Sequence, residues 1–152
     1  MLRSQLNDAL KAAMLGKDPR TVSTVRLILA ALKDRDIAAR PKGITDGIGE
    51  DEILSMLQSM IKQRRESITL YEQGGRLELA EQEAQEITII ERFLPKQLGE
   101  AEILAAVKGA IAATGATGIK DMGRVMAALK DGHAGQMDFT KASAQVKKEL
   151  GG

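Results

Sequence analysis

The sequence contains no cysteine and no tryptophan, and only one histidine, one tyrosine and two phenylalanines among its 152 residues. The missing cysteines exclude disulfides, thiolate metal sites and a cysteine nucleophile. With so few aromatics the core must come from Leu, Ile, Val, Ala and Met, which suit helices packed through aliphatic ridges better than a β-sheet. Long apolar runs are also missing: none approaches the roughly 20 residues needed to span a bilayer. The start, Met1-Leu2-Arg3-Ser4-Gln5-Leu6, turns polar at once and lacks the apolar core of a signal peptide. The expectation is a cytoplasmic protein with no membrane association. A hydrophobic fraction of 43% beside 28% charged residues fits a folded globular chain and excludes a disordered tail.

The patterns that carry catalysis are likewise absent. His133 lies in a glycine-flanked turn with no evident orienting partner, so it reads as a solvated turn residue rather than an acid or base. Gly47-Ile48-Gly49 lacks the later glycine of a phosphate loop and follows no strand. Glu78, Glu81, Glu83, Glu86 and Glu91 have neither histidine partners nor an EF-hand pattern and read as a solvated helix face. No catalytic residue, cofactor or metal is expected.

What is present is helical periodicity along nearly the whole chain. Leu2, Leu6, Leu10, Ala13 and Met14 mark a first helix, stopped at Gly16. Asp18-Pro19 is a start signal, because Asp accepts from free N–H groups and Pro suits the first helical position. Val22, Val25, Ile28, Leu29 and Leu32 continue a second helix to Arg40-Pro41. Lys42 to Gly49 has three glycines and no periodicity, which predicts an exposed, mobile loop. A third helix runs from Glu50 or Asp51 through Ile53, Leu57, Met60, Ile61, Arg64, Ile68 and Tyr71 to Gly74-Gly75. A fourth returns through Leu77, Ala80, Ala84, Ile87, Ile90 and Leu94 to Pro95, and the short Gly-Gly connection predicts an antiparallel pair. Three shorter helices follow, over 100–113, 120–130 and about 139–150, with Asp131 to Gly135 as a turn. The expectation is an all-α protein with an N-terminal helical domain over 1–96 and a three-helix tail over 97–152.

Charge is distributed unevenly although the net value is only +1. Residues 1–49 balance at +4, 50–95 at −5, 96–117 at zero and 118–152 at +2. Attraction to phosphate would come from the two ends, with the middle opposing it. Lys62-Gln63-Arg64-Arg65 is the densest basic run, but successive helical side chains diverge by about 100° and form no single surface. Arg64 shares the apolar stripe, so it should pair with Glu83 or Glu86 on the returning helix. Lys62 and Arg65 remain for outward contacts. In the tail, Lys120, Arg124, Lys130, Lys141, Lys147 and Lys148 supply cations, and Gly118, Gly123, Gly132 and Gly135 let a partner approach closely.

Several runs taken together resemble the GatB/YqeY family, in its stand-alone YqeY-like form. They are Lys62-Gln63-Arg64-Arg65-Glu66-Ser67-Ile68, Glu78-Leu79-Ala80, Glu86-Ile87 and Phe93-Leu94-Pro95, with Ser23-Thr24-Val25-Arg26-Leu27-Ile28 before them. Asp121-Met122-Gly123-Arg124-Val125-Met126, Leu129-Lys130, Gly135 and Val146-Lys147 extend the likeness through the tail. The resemblance implies a four-helix domain followed by a three-helix tail. It also implies kinship with the C-terminal part of GatB, a subunit of the tRNA-dependent, glutamine-using amidotransferase, whose tail recognises tRNA while its chemistry lies elsewhere. By that resemblance the tail would contact tRNA or another structured RNA through Lys120, Arg124 and Lys130, with Gly118, Gly123 and Gly135 allowing close approach. Asp121 would cap or begin its helix, and Met122, Val125, Met126 and Leu129 would be core. The implied role is a non-catalytic accessory RNA-binding protein. The alternative is an adaptor that docks a protein partner through the acidic helices of residues 50–95.

Overall fold

The computed structural model describes residues 1–151. Its elements are α1 (Leu2–Leu15), α2 (Pro19–Ala39), a 3-10 turn (Arg40–Lys42), α3 (Glu50–Gln73), α4 (Leu77–Glu91), α5 (Glu100–Thr114), a second 3-10 turn (Ile119–Asp121), α6 (Met122–Gly132) and α7 (Phe139–Glu149). The protein is all-helical, with no strand among the described residues. The chain divides into two compact units, Met1–Pro95 and Lys96–Gly152. No single helix among the described residues is long and apolar enough to cross a membrane.

In the first unit the start of α2 is fixed as its sequence dictates. Asp18 accepts from the Thr21 backbone N–H at 3.2 Å and from the Thr21 hydroxyl at 2.7 Å, with Pro19 filling the first helical position. α3 opens with Glu50, Asp51 and Glu52, whose charges complement the positive end of the helix. Leu6, Ile28, Ile53, Leu57 and Ile90 are among the fully buried side chains that unite α1 to α4. α3 and α4 run antiparallel about Gly74-Gly75. Arg64 donates from Nε to Glu86 at 3.0 Å, with Glu83 at 3.9 Å, and from Nη1 to the Met60 carbonyl at 3.3 Å. Beyond Arg64 no α3 residue is buried, and Tyr71 is half-buried on the stretch that leads to the turn.

Four expectations need correction here, the first being the solvated helix face, since Glu86 is buried against Arg64. The segment from Lys42 to Gly49 is not exposed throughout. Ile48 is only 4% exposed, its N–H donates to Asp36 Oδ1 at 2.9 Å, and its carbonyl accepts from Arg3 Nη2 at 2.9 Å. Arg3 in turn grips both Asp36 oxygens at 2.7 Å, so the loop is clasped between α1 and α2. Gly47 makes this possible: its φ is +95°, and a Cβ there would lie 2.4 Å from Arg3 Nη2. Leu77 and Met14, assigned to apolar stripes, are exposed, each in a terminal turn of its helix. α4 stops at Glu91, and its C-terminal residues turn before Pro95 is reached.

The second unit has its own core of Val107, Val125, Leu129, Met137, Ala142 and Val146. Gln97 donates to the Gly135 carbonyl at 2.7 Å, and the Leu98 N–H donates to the Gln136 carbonyl at 2.9 Å. These bonds fasten the strap before α5 to the turn between α6 and α7. Asp138 caps α7 by accepting from the Thr140 N–H at 2.9 Å.

Candidate nucleic-acid interface

The tail's candidate contacts lie around the α5–α6 connection and along α6. Asp121 organises the connection rather than capping α6, where it makes no side-chain cap bond. Its carboxylate accepts from the Thr117 N–H at 3.0 Å and from Arg124 Nη2 at 2.8 Å. These bonds, led by that from Thr117, hold its pKa down at about 2. Arg124 Nη1 also donates to the Thr114 carbonyl at 2.9 Å, so this guanidinium ties the end of α5 to the start of α6. Its side chain is still 59% exposed, and these two bonds use only two of the five N–H donors of a guanidinium.

Lys120 and Lys130 are exposed and form no ion pair among the described residues. Lys141, Lys147 and Lys148 are exposed on α7, the last two in its final turn. Gly118 is extended, with φ at −166°, and its carbonyl accepts from the Asp121 N–H at 2.9 Å. Gly123 lies in the first turn of α6 with open space where a Cβ would be. Gly135 is buried with φ at +74°, and its carbonyl is occupied by Gln97, so its glycine is required by the turn itself. His133, for which the sequence offered no partner, has one: its Nδ1 lies 3.0 Å from Gln136 Oε1. Lys62 and Arg65 are exposed on α3 in the first unit.

The sequence reasoning missed the clasp at Arg3 and Asp36. The Arg3 hydrogen bonds, ahead of the bond from the Ile48 N–H, lower the Asp36 pKa to about 2. The paired charges could have been noticed, but Arg3 and Asp36 stand 33 residues apart, and no local pattern joins them. Among the described residues no group of three or more His, Cys, Asp or Glu side chains could hold a metal ion.

These features define a helical protein of two compact units, each with an aliphatic core, and with exposed cations on the tail. The chain belongs to the YqeY-like family: the family model described as "Yqey-like protein" matches residues 3–150. It is similar to the protein called altered inheritance of mitochondria protein 41, mitochondrial, from three organisms. The Eremothecium gossypii protein is 36% identical over 104 residues, covering 68% of this chain and 55% of the relative. That of Lachancea thermotolerans is 33% identical over 106 residues, covering 68% and 54%. That of Saccharomyces cerevisiae (strain YJM789) is 31% identical over 91 residues, covering 60% and 47%. The chain thus spans about half the length of the curated relatives it matches. Their names overturn the expectation of a cytoplasmic protein, because these relatives are called mitochondrial. The polar start of the chain does not carry the weight that expectation gave it.

Proposed function

We propose that this protein is a non-catalytic accessory RNA-binding protein that engages tRNA or another structured RNA through its tail unit, residues 97–152. The observation that carries the reading is that Lys120 and Lys130 are exposed and form no ion pair among the described residues, and that the Arg124 side chain is 59% exposed. Cations of this kind bind phosphate oxygens and release counterions, so affinity falls as salt rises. The open first turn of α6 at Gly123 leaves room for a sugar-phosphate backbone. The four-helix and three-helix arrangement implied by the GatB resemblance fits this assignment, and so does the kinship with the glutamine-dependent tRNA amidotransferase. No amidotransferase chemistry is proposed for the chain itself.

Titration of the purified protein with bulk tRNA, and with a duplex RNA of similar length, at several salt concentrations tests the reading. We expect preferential tRNA binding that weakens with salt. The Lys120→Ala/Arg124→Ala/Lys130→Ala variant should bind more weakly and lose about one unit of salt slope per phosphate contact removed. Equal binding to both RNAs, or affinity indifferent to those substitutions, would overturn it.

A second reading is a protein adaptor docking through residues 50–95. It is favoured by the exposure of Leu77, on α4, beside the exposed Glu78 and Glu81. An apolar side chain framed by carboxylates suits a partner with a basic, apolar face.

A further inference from the structure

The outer face of α2 carries cations in a regular row. Arg26 and Lys33 on α2, and Arg40 in the 3-10 turn that directly continues it, are all exposed and follow one another at intervals of seven. Seven helical residues advance about 10.5 Å and drift by only about 20°, so the three form one stripe roughly 21 Å long. None forms an ion pair among the described residues. Asp36, one turn before Arg40, is held by Arg3, whereas Asp34 is exposed and lies on the apolar side of the stripe, four residues after Ala30 and three before Ile37. Alongside the cations stand Ala30 and two large apolar side chains left exposed, Leu27 at 48% and Ile37 at 44%. The stripe begins at an open groove of about 890 Å³ in the α1–α2 corner, where Met14, Val22 and Leu27 meet Lys17 and Arg26. Asp18 also lines it, but its carboxylate is occupied by Thr21.

The outer face of α4 is its counterpart in charge. Leu77, Glu81, Ala84, Thr88 and Glu91 are all exposed and follow the 4-3-4-3 spacing of a single helix face. Glu81 and Glu91 form no ion pair among the described residues, and they stand about 15 Å apart along the axis. That separation fits within the 21 Å reach of the cation stripe. Both faces belong to the same unit, in which α2 and α4 also pack together.

We propose that a second copy of this chain covers the outer face of α2, laying its own α4 along it. Leu77 and Ala84 of the partner copy would rest on Leu27, Ala30 and Ile37, with its carboxylates turned to the cation stripe that runs along one side of that apolar row. The proposed exchange is reciprocal, α2 to α4 and α4 to α2, which makes the assembly a two-fold dimer rather than a head-to-tail chain. The inference rests on the adaptor reading of residues 50–95, to which it gives a particular occupant, and it requires no RNA.

Sedimentation of the purified chain without RNA, across concentration and salt, tests it. The wild type should reach twice the 16.3 kDa chain mass and dissociate more readily as salt screens the pairs. R26E/K33E and E81K/E91K should each remain at the single-chain mass while keeping the helical circular dichroism of the wild type. Mixed one to one, the two reversed variants should regain the doubled mass, since every reversed face then meets its reversed partner. If either variant unfolds, Ile37→Asp and Ala84→Arg serve as second variants, each expected to abolish the dimer. A wild type that stays monomeric at high concentration overturns self-association and leaves the adaptor reading to a different partner. A dimer untouched by the α4 reversals overturns the proposed α2–α4 contact and leaves the adaptor reading standing. Growth into larger oligomers overturns the two-fold closure.

Discussion

Gly47 and the Arg3–Asp36 pair show how single residues fix a loop that composition alone would leave loose. A side chain at position 47 meets two obstacles, a φ of +95° and the Arg3 guanidinium 2.4 Å from its Cβ. Gly47→Ala should therefore destabilise the first unit by about 2 kcal/mol or more, read as a lowered urea midpoint. Asp36 gives a pH signature. Its folded pKa lies near 2, below the ordinary carboxylate value of 3.8, so its contribution is complete above that value and fades as pH falls toward 2. Asp36→Asn should lower stability at neutral pH and flatten the pH dependence of thermal melting between about pH 5 and 2. Asp121 is held down in the same way, but its removal has a second effect. Asp121→Asn leaves Arg124 without its carboxylate, so RNA affinity at low salt should rise if the tail reads phosphate. An unchanged or weaker affinity in a folded Asp121→Asn protein would count against that surface.

Among the elements, the α3–α4 hairpin was the most legible in the sequence. Its stripe, its Gly-Gly turn and the misfit of an arginine among apolar residues are all local cues, and together they placed Arg64 against Glu83 and Glu86. Arg64→Ala should cost about 3 kcal/mol, because it leaves the buried Glu86 carboxylate unpaired. Replacing both partners, as Arg64→Met with Glu86→Leu, should cost much less in the same denaturation measurement. Glu83, whose pKa burial raises, would lose its own nearest cation in the single variant. Elements joined across distance were not legible. Ile48 sits in a glycine-rich stretch with no repeat to announce its burial, and the residues that hold it lie on α1 and α2. Met137 is buried in the second core although it falls between helices, where periodicity has nothing to say. Leu77 failed in the opposite sense: it keeps the helical register, but it is the first residue of α4 and two-thirds exposed. For the candidate interface, sequence supplied the cations and the glycines. It could not show that Arg124 bridges two helices or that Gly135 is sealed inside its turn.

The whole molecule consists of two units whose buried clusters share no residue. The smaller, fewer than 60 residues long, is in the size range where one core gives modest stability. Leu129 is fully buried at its centre, and Leu129→Ala should cost about 2–5 kcal/mol, enough to bring this unit near its unfolding midpoint. Amide exchange should then accelerate across α5, α6 and α7 while the protected amides of α1 to α4 keep their rates. Acceleration through both units would mean that they fold as one.

The sparse aromatic content has an optical consequence. Tyr71 is the only tyrosine, and there is no tryptophan, so nearly all absorption near 280 nm, and all the tyrosine emission it excites at longer wavelength, arises from one turn of α3. Intrinsic fluorescence of the unlabelled chain is therefore a single-site probe of the hairpin, silent about the tail. A binding event at α6 needs an introduced dye to be seen, whereas any partner that settles against the half-buried phenol reports itself without one.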